Sequence, residues 1–219
     1  MKKYKLTEET LEIDGSTLHR IMALRDFGNV KKGDLGGFIE KESNLAHNGN
    51  CWIYNDAVVR DDAMVYGDAM VYGDAKVCGD ATVCDNAEVY GNAEVYGEAM
   101  VYSDAKVCGD AMVYGNAEVY GDATVCGNAE VCGEAMVHGE AKVCGDAKVE
   151  KKSDYIVFKN WWSSGRYFTW TRSNDMWSVG CFYGTGEELI KKAYNDSEKK
   201  GREYERIVKY VESIKQEFK

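Results

Sequence analysis

Three histidines and eight cysteines are the residues of this chain best suited to chemistry, and their placement limits what they can do. His19 and His47 lie near the start, while His138 stands alone at a position held by Tyr or Cys in all other units between Tyr66 and Cys144. An imidazole can serve as a general base near neutral pH, but a base needs a nucleophile or a cleft beside it. The sequence around His138 offers neither, so it reads as a surface position and no catalytic residue is assigned. The cysteines stand at 51, 78, 84, 108, 126, 132, 144 and 181, with no CxxC spacing and no adjacent histidine pair, so no metal site is expected. Cys108, Cys126 and Cys144 are spaced 18 apart. Disulfides along such a column are conceivable, whereas three thiolates in line do not surround a metal; the expectation for a reducing cytosol is eight free thiols. Gly184-Thr185-Gly186 suggests phosphate contact, but no Lys-Ser/Thr follows it, and Thr185 with Glu188 has capping-box spacing. No cofactor is expected.

The elements that carry these residues are set by a repeat. From Asp56 to Val149 one six-residue phrase recurs, as in Gly67-Asp68-Ala69-Met70-Val71-Tyr72, with Ala at 57, 63, 69 and onward to 147 without an insertion. Ala and Val two apart point to one side of a short strand and their neighbours to the other. Gly followed by Asp, Asn or Glu then turns the chain. An antiparallel meander would leave every Ala/Val face uncovered. Coiling three units into an 18-residue triangular turn puts them inside a prism and pairs each strand with the one 18 residues on. The periodicity predicts a parallel β-helix over 45–150, whose hand the pattern alone does not set.

The net charge of −10 is uneven: residues 1–54 carry 8 basic and 8 acidic groups, 55–150 carry 5 and 19, and 151–219 carry 14 and 10. Direct nucleic-acid binding by the middle segment is therefore disfavoured. Its three outer faces differ. Face one carries Met64, Tyr66, Thr82, Cys84, Met100, Tyr102, Glu118, Tyr120, Met136 and His138, with Glu118 its one formal charge. Face two carries Glu88, Lys106 and Lys142, and face three carries Arg60, Lys76, Glu94, Glu130, Lys148 and Glu150. A Met/Tyr strip on a rod reads either as a contact surface or as cross-strand stacking that stabilises the coil. The acidic corners, among them Asp80, Glu98 and Glu134 at equivalent positions of successive coils, give roughly one net charge per 1.8 Å of a rod about 26 Å long, against ~1.7 Å for duplex DNA.

Residues 1–44 contain Leu11-Glu12-Ile13 and Leu18-His19-Arg20-Ile21 around Asp14-Gly15, a hairpin signal and a β cap for the open coil. Residues 151–219 read as an α+β domain: strands over Tyr155–Trp162, Arg166–Arg172 and Met176–Tyr183, a helix capped by Thr185, and a last helix striped by Tyr204, Ile207, Val208, Val211, Ile214 or Lys215, and Phe218. No run approaches the ~18 apolar residues of a membrane helix, and the first nine residues lack a signal-peptide core. A cytoplasmic protein without membrane contact is expected.

Val-x-Gly-Asx-Ala-x resembles the hexapeptide repeat of left-handed parallel β-helices, a family that includes many bacterial acyltransferases. Ala23-Leu24-Arg25-Asp26-Phe27, Gly36-Gly37-Phe38 and Gly49-Asn50-Cys51-Trp52-Ile53-Tyr54 are similar to the leading segment of YdcK-like transferases, and residues 151–219 are similar to C-terminal modules on bacterial and phage repeat proteins. The resemblance implies a mainly β fold of left-handed hand and raises acyl transfer, commonly by a trimer with a histidine base in a cleft between prisms. The unbroken repeat favours another reading: a non-enzymatic, homo-oligomeric binding protein. Its partner surface comprises Met64, Tyr66, Met100, Tyr102, Tyr120, Met136 and His138 with Asp80, Glu98 and Glu134. The most concrete version is an acidic nucleic-acid mimic of phage type, occupying the basic groove of a host defence protein in the manner of anti-CRISPR or anti-restriction proteins. A structural scaffold is the third reading.

Overall fold

The computed structural model describes residues 2–215. Between Trp52–Ile53 and Lys148–Val149, seventeen two-residue strands coil into a parallel β-helix. Each but the last three pairs in parallel with the strand 18 residues on, as Glu88 with Lys106 and Met100 with Glu118, so three sheets enclose a triangular prism. This is the coil of the hexapeptide-repeat left-handed β-helix. Every repeat Ala and Val from Ala57 to Val149 is buried, and they form one continuous core. The turn residue that starts each corner has left-handed φ, glycine in most units but Asn55, Asp61, Asp85 and Ser103 (φ between 56° and 61°) in four. Small polar side chains tolerate that conformation, so the corner demands a backbone angle rather than glycine itself.

The N-terminal strands Tyr4–Ile13 and Ser16–Ala23 form the expected hairpin, with Asp14 and Gly15 both at positive φ as a tight turn between twisted strands requires. The strand Leu35–Ile39 pairs antiparallel with Ser16–Ala23 and parallel with Val58–Val59, so the cap is a direct extension of face three. Its side chains meet carbonyls that have no preceding coil to pair with. Lys3 Nζ donates to Cys51 O (2.7 Å), Tyr4 Oη to Leu45 O (2.8 Å), and Asn44 Nδ2 to Ala63 O (2.9 Å). A buried unmet carbonyl costs on the order of 1–3 kcal/mol, which accounts for a fully buried lysine at the end of a prism.

At the other end four antiparallel strands stand where three are expected: Tyr155–Lys159, Tyr167–Thr171, Met176–Val179 and Phe182–Gly184. The third predicted strand is broken by a turn at Gly180 (φ 61°), and the first ends at Lys159, three residues early, leaving Trp161 and Trp162 in the connecting turn. Helices α1 (Gly186–Asp196) and α2 (Glu198–Lys215) cover one side of this sheet. The Thr185–Glu188 capping box opens α1, with Thr185 N donating to Glu188 Oε2 at 2.9 Å. Phe168, Trp170, Trp177 and Val179 pack against Leu189, Ala193, Tyr204, Val208 and Val211; Phe218 of the expected stripe lies outside the described residues. The module closes the last coil with side chains: Thr169 Oγ1 accepts from Lys142 N (2.9 Å), Ser173 Oγ from Lys148 N (2.7 Å), and Tyr155 Oη donates to Met136 O (2.9 Å). Among the described residues no helix is long and apolar enough to cross a membrane.

Candidate functional site

The parallel register gathers Met64, Thr82, Met100, Glu118 and Met136 on one sheet, which is face one. Beside them Tyr102, Tyr120 and His138 stack at centroid distances of 4.9 and 5.2 Å, with His138 exposed at the end of the column. Tyr102 Oη donates to Glu118 Oε2 at 2.9 Å, so the single carboxylate of the face is engaged within the sheet. Burial, then that bond to Glu118, pushes the Tyr102 phenol up to about 12, and a bond to Cys84, then burial, does the same for Tyr66. Both stay protonated donors at neutral pH. Met64 (46% exposed), Tyr66 (41%) and Met100 (39%) remain open to solvent, and none of them lies beyond the middle of the rod.

Tyrosine stacking is not special to this face. Tyr72 lies on Tyr90 at 4.8 Å on face two, and Tyr96 on Tyr114 at 5.0 Å on face three. What sets face one apart is charge. Face two holds Lys106–Glu88 at 2.8 Å, and face three holds Lys76–Glu94 at 2.9 Å and Lys148–Glu130 at 3.9 Å. Face one has no such pair among the described residues.

The two edges that bound face one are acidic. Asp80, Glu98 and Glu134 do share one edge, but not in unbroken succession, because Asn116 occupies the coil between Glu98 and Glu134: Asn116 N donates to Gly133 O just as Glu98 N donates to Gly115 O. The other edge carries Asp68, Asn86, Asp104, Asp122 and Glu140. Where Asn alternates with Asp the amide bridges the coils, as Asn86 Nδ2 to Asp104 Oδ1 at 3.0 Å and, on the edge between faces two and three, Asn92 Nδ2 to Asp110 Oδ1 at 2.8 Å. Asp80, Glu98, Glu134, Asp122 and Glu140 have no cation within ion-pair distance among the described residues and are exposed.

The three histidines are not brought together. His19 Nδ1 lies 3.2 Å from Thr7 O in the cap, and His47 Nδ1 accepts from Lys3 N at 3.3 Å where the cap meets the first coil, while His138 sits in the last coil. The expectation of eight free thiols is corrected: Cys126 is joined to Cys144 by a disulfide, with Cα atoms 4.6 Å apart. Stacking of equivalent positions brings Cβ atoms of successive coils within reach, a geometry the 18-residue spacing contains; Cys108, the third of the column, remains free. We expect six reactive thiols per denatured, unreduced chain and eight after reduction; a titration giving eight without reductant would show that the bond does not form. Cys51 is buried against Lys3, whose Nζ is 3.0 Å from its sulfur; burial raises the thiol and lowers the amine. The feature missed from sequence is the exposed Trp161-Trp162 pair. Its signal was the run of two tryptophans directly before Ser163-Ser164-Gly165, turn residues that leave the preceding side chains outside a strand.

No protein-family model matches the chain. A curated protein described as "Uncharacterized acetyltransferase YdcK", from Escherichia coli (strain K12), is similar at 40% identity over 67 residues, covering 27% of this chain and 21% of that protein. The chain thus matches about a fifth of that relative's length.

Proposed function

We propose that this chain is a binding protein whose acidic edges engage the basic groove of a protein partner. The observation that carries the reading is the row of exposed carboxylates without cation partners among the described residues, Asp80, Glu98 and Glu134 on one edge and Asp122 and Glu140 on the other, held at fixed spacing by an uninterrupted prism. Charges fixed on a rigid scaffold bind without the ordering cost that flexible acidic tails incur, and their field steers a basic surface toward the rod. A groove built for nucleic acid is the natural complement. Inhibition of a host nucleic-acid-binding defence protein, as by anti-CRISPR or anti-restriction proteins, is the most specific form of the proposal.

The test is a triple variant, Asp80→Asn with Glu98→Gln and Glu134→Gln. These amides suit exposed turns as the acids do, so the fold is retained while three charges leave one edge. Partner retention on immobilised protein should fall at least about tenfold in the variant, should drop steeply between roughly 50 and 200 mM salt, and should be competed by duplex DNA. Binding insensitive to all three would reduce the edges to turn chemistry.

A second reading, acetyl transfer, is favoured by the description of the similar Escherichia coli protein as an acetyltransferase. Under it His138→Ala or His47→Ala should abolish the cellular effect without altering assembly, whereas the binding reading expects neither change to matter.

A further inference from the structure

The turn between Tyr155–Lys159 and Tyr167–Thr171 displays two adjacent tryptophans, Trp161 at 73% and Trp162 at 75% exposed. This is a built turn. Asn160, 2% exposed, accepts from Trp162 N (3.0 Å) and Ser163 N (3.1 Å) through Oδ1 and donates to Ser163 Oγ (3.0 Å). Two cations flank it: Lys159, whose Nζ lies 5.0 Å from the Trp161 ring and 3.8 Å from the Tyr167 ring, and exposed Arg166. Neither has a carboxylate within ion-pair distance among the described residues. The tip is therefore an apolar centre with a basic rim.

Face one is the inverse pattern. Its exposed centre of Met64, Tyr66 and Met100 is bounded by Asp80 and Glu98 along one edge and by Asp68 and Asp104 along the other. We infer that the tryptophan tip of one copy docks on face one of a second copy, reciprocally, in a two-fold dimer with antiparallel rods. Each copy carries both halves of the contact, the tip in the C-terminal module and the open strip between Met64 and the middle of the rod at Met100, so a reciprocal antiparallel pairing uses both at once and closes the assembly. Charge selects this pairing over two tips packed together, which would set the Lys159 and Arg166 of both copies against each other. Exposed tryptophans with a cationic rim also suit an anionic lipid surface, but the rod's net acidity would repel such a surface while attracting the tip. The inference shares Asp80 and Glu98 with the acidic-edge proposal, but its test uses purified protein alone and no partner, so the two readings fail separately.

Sedimentation of the full chain from roughly 1 to 100 µM is expected to show a monomer–dimer equilibrium that weakens with salt. Trp161→Ser with Trp162→Ser removes the tip, and Met64→Lys with Met100→Lys charges the strip; each pair lies on exposed side chains and should shift the dimer constant at least about tenfold. Mixing the two variants is the decisive arm, because one intact tip then meets one intact strip and association should partly return. A wild-type monomer throughout the range, tip variants that dimerise normally, or a mixture no more associated than its components would each overturn the inference. So would a monomeric wild type that binds vesicles of anionic phospholipid through the tip.

Discussion

A chain ending at Glu150 is expected to lose solubility that the full chain keeps. The last coil has no following coil, and its orphan groups are met from the C-terminal module: Lys142 N by Thr169, Lys148 N by Ser173, Glu150 N by Asp154 and Met136 O by Tyr155. Four such bonds at about 1 kcal/mol each, with 2–4 °C of melting temperature per kcal/mol for a chain of this size, amount to roughly 8–16 °C. Tyr155 is also the residue of the module that joins the prism core, so truncation uncovers its terminal valines. Three parallel strand edges would then stand open, and open edges recruit other chains. Light scattering and thermal melting of the two proteins make the comparison; a truncated rod that stays monomeric and melts with the parent would show that the module is an attachment and not a closure.

Gly37→Val is expected to separate the N-terminal cap from the rod. A Cβ at Gly37 would lie 2.4 Å from Ala57 O and 2.5 Å from Ile53 Cγ2, and one at Gly36 would lie 2.6 Å from both Ile21 Cγ1 and Ile53 O. The tight approach is what lets Phe38 N reach Ala57 O at 2.9 Å and carries the cap sheet onto face three. Because a carbonyl of the first coil is in the way, relief requires moving backbone, at a cost of about 3 kcal/mol or more. Gly139→Asn is the matched control: its φ of 63° is one that asparagine tolerates, and nothing lies within 4 Å of the added carbon. Its stability should stay within about 0.5 kcal/mol of the parent. Limited proteolysis near residue 50 reads out the difference, and equal resistance in Gly37→Val would mean that the cap does not depend on this contact.

The prism was legible because its information is local and repeated. Ala57 and Val59 announce an inward face, Gly67-Asp68 a corner, and the 18-residue sum of three units puts Met100 over Glu118 before any coordinate is known. The closures were not legible, because each joins residues far apart in the chain by a side chain that reads as ordinary in its own neighbourhood. Thr169 looks like a strand residue and Lys3 like a solvated terminus, yet one accepts from Lys142 N and the other is buried on Cys51 O. The cysteine column was visible from spacing alone, whereas the choice of Cys126 with Cys144 over Cys108 with Cys126 is one that an equal 18-residue spacing does not encode. Trp161 and Trp162 were drawn into a strand by their β propensity, and Asn160 overrode it by folding the backbone back on its own amide.

The equivalence of successive coils also makes length a discrete, inheritable quantity. Each coil meets its neighbours through the same Ala/Val interior and the same backbone bonds, while both closures depend on the terminal coils alone. Gain or loss of 54 nucleotides in register adds or removes one step of about 4.8 Å and leaves both ends intact. Near-identical hexads are the kind of sequence in which replication slippage produces such changes. Successive generations could thereby adjust the number of edge carboxylates, and the distance from the tryptophan tip to the N-terminal cap, one coil at a time without redesigning a core.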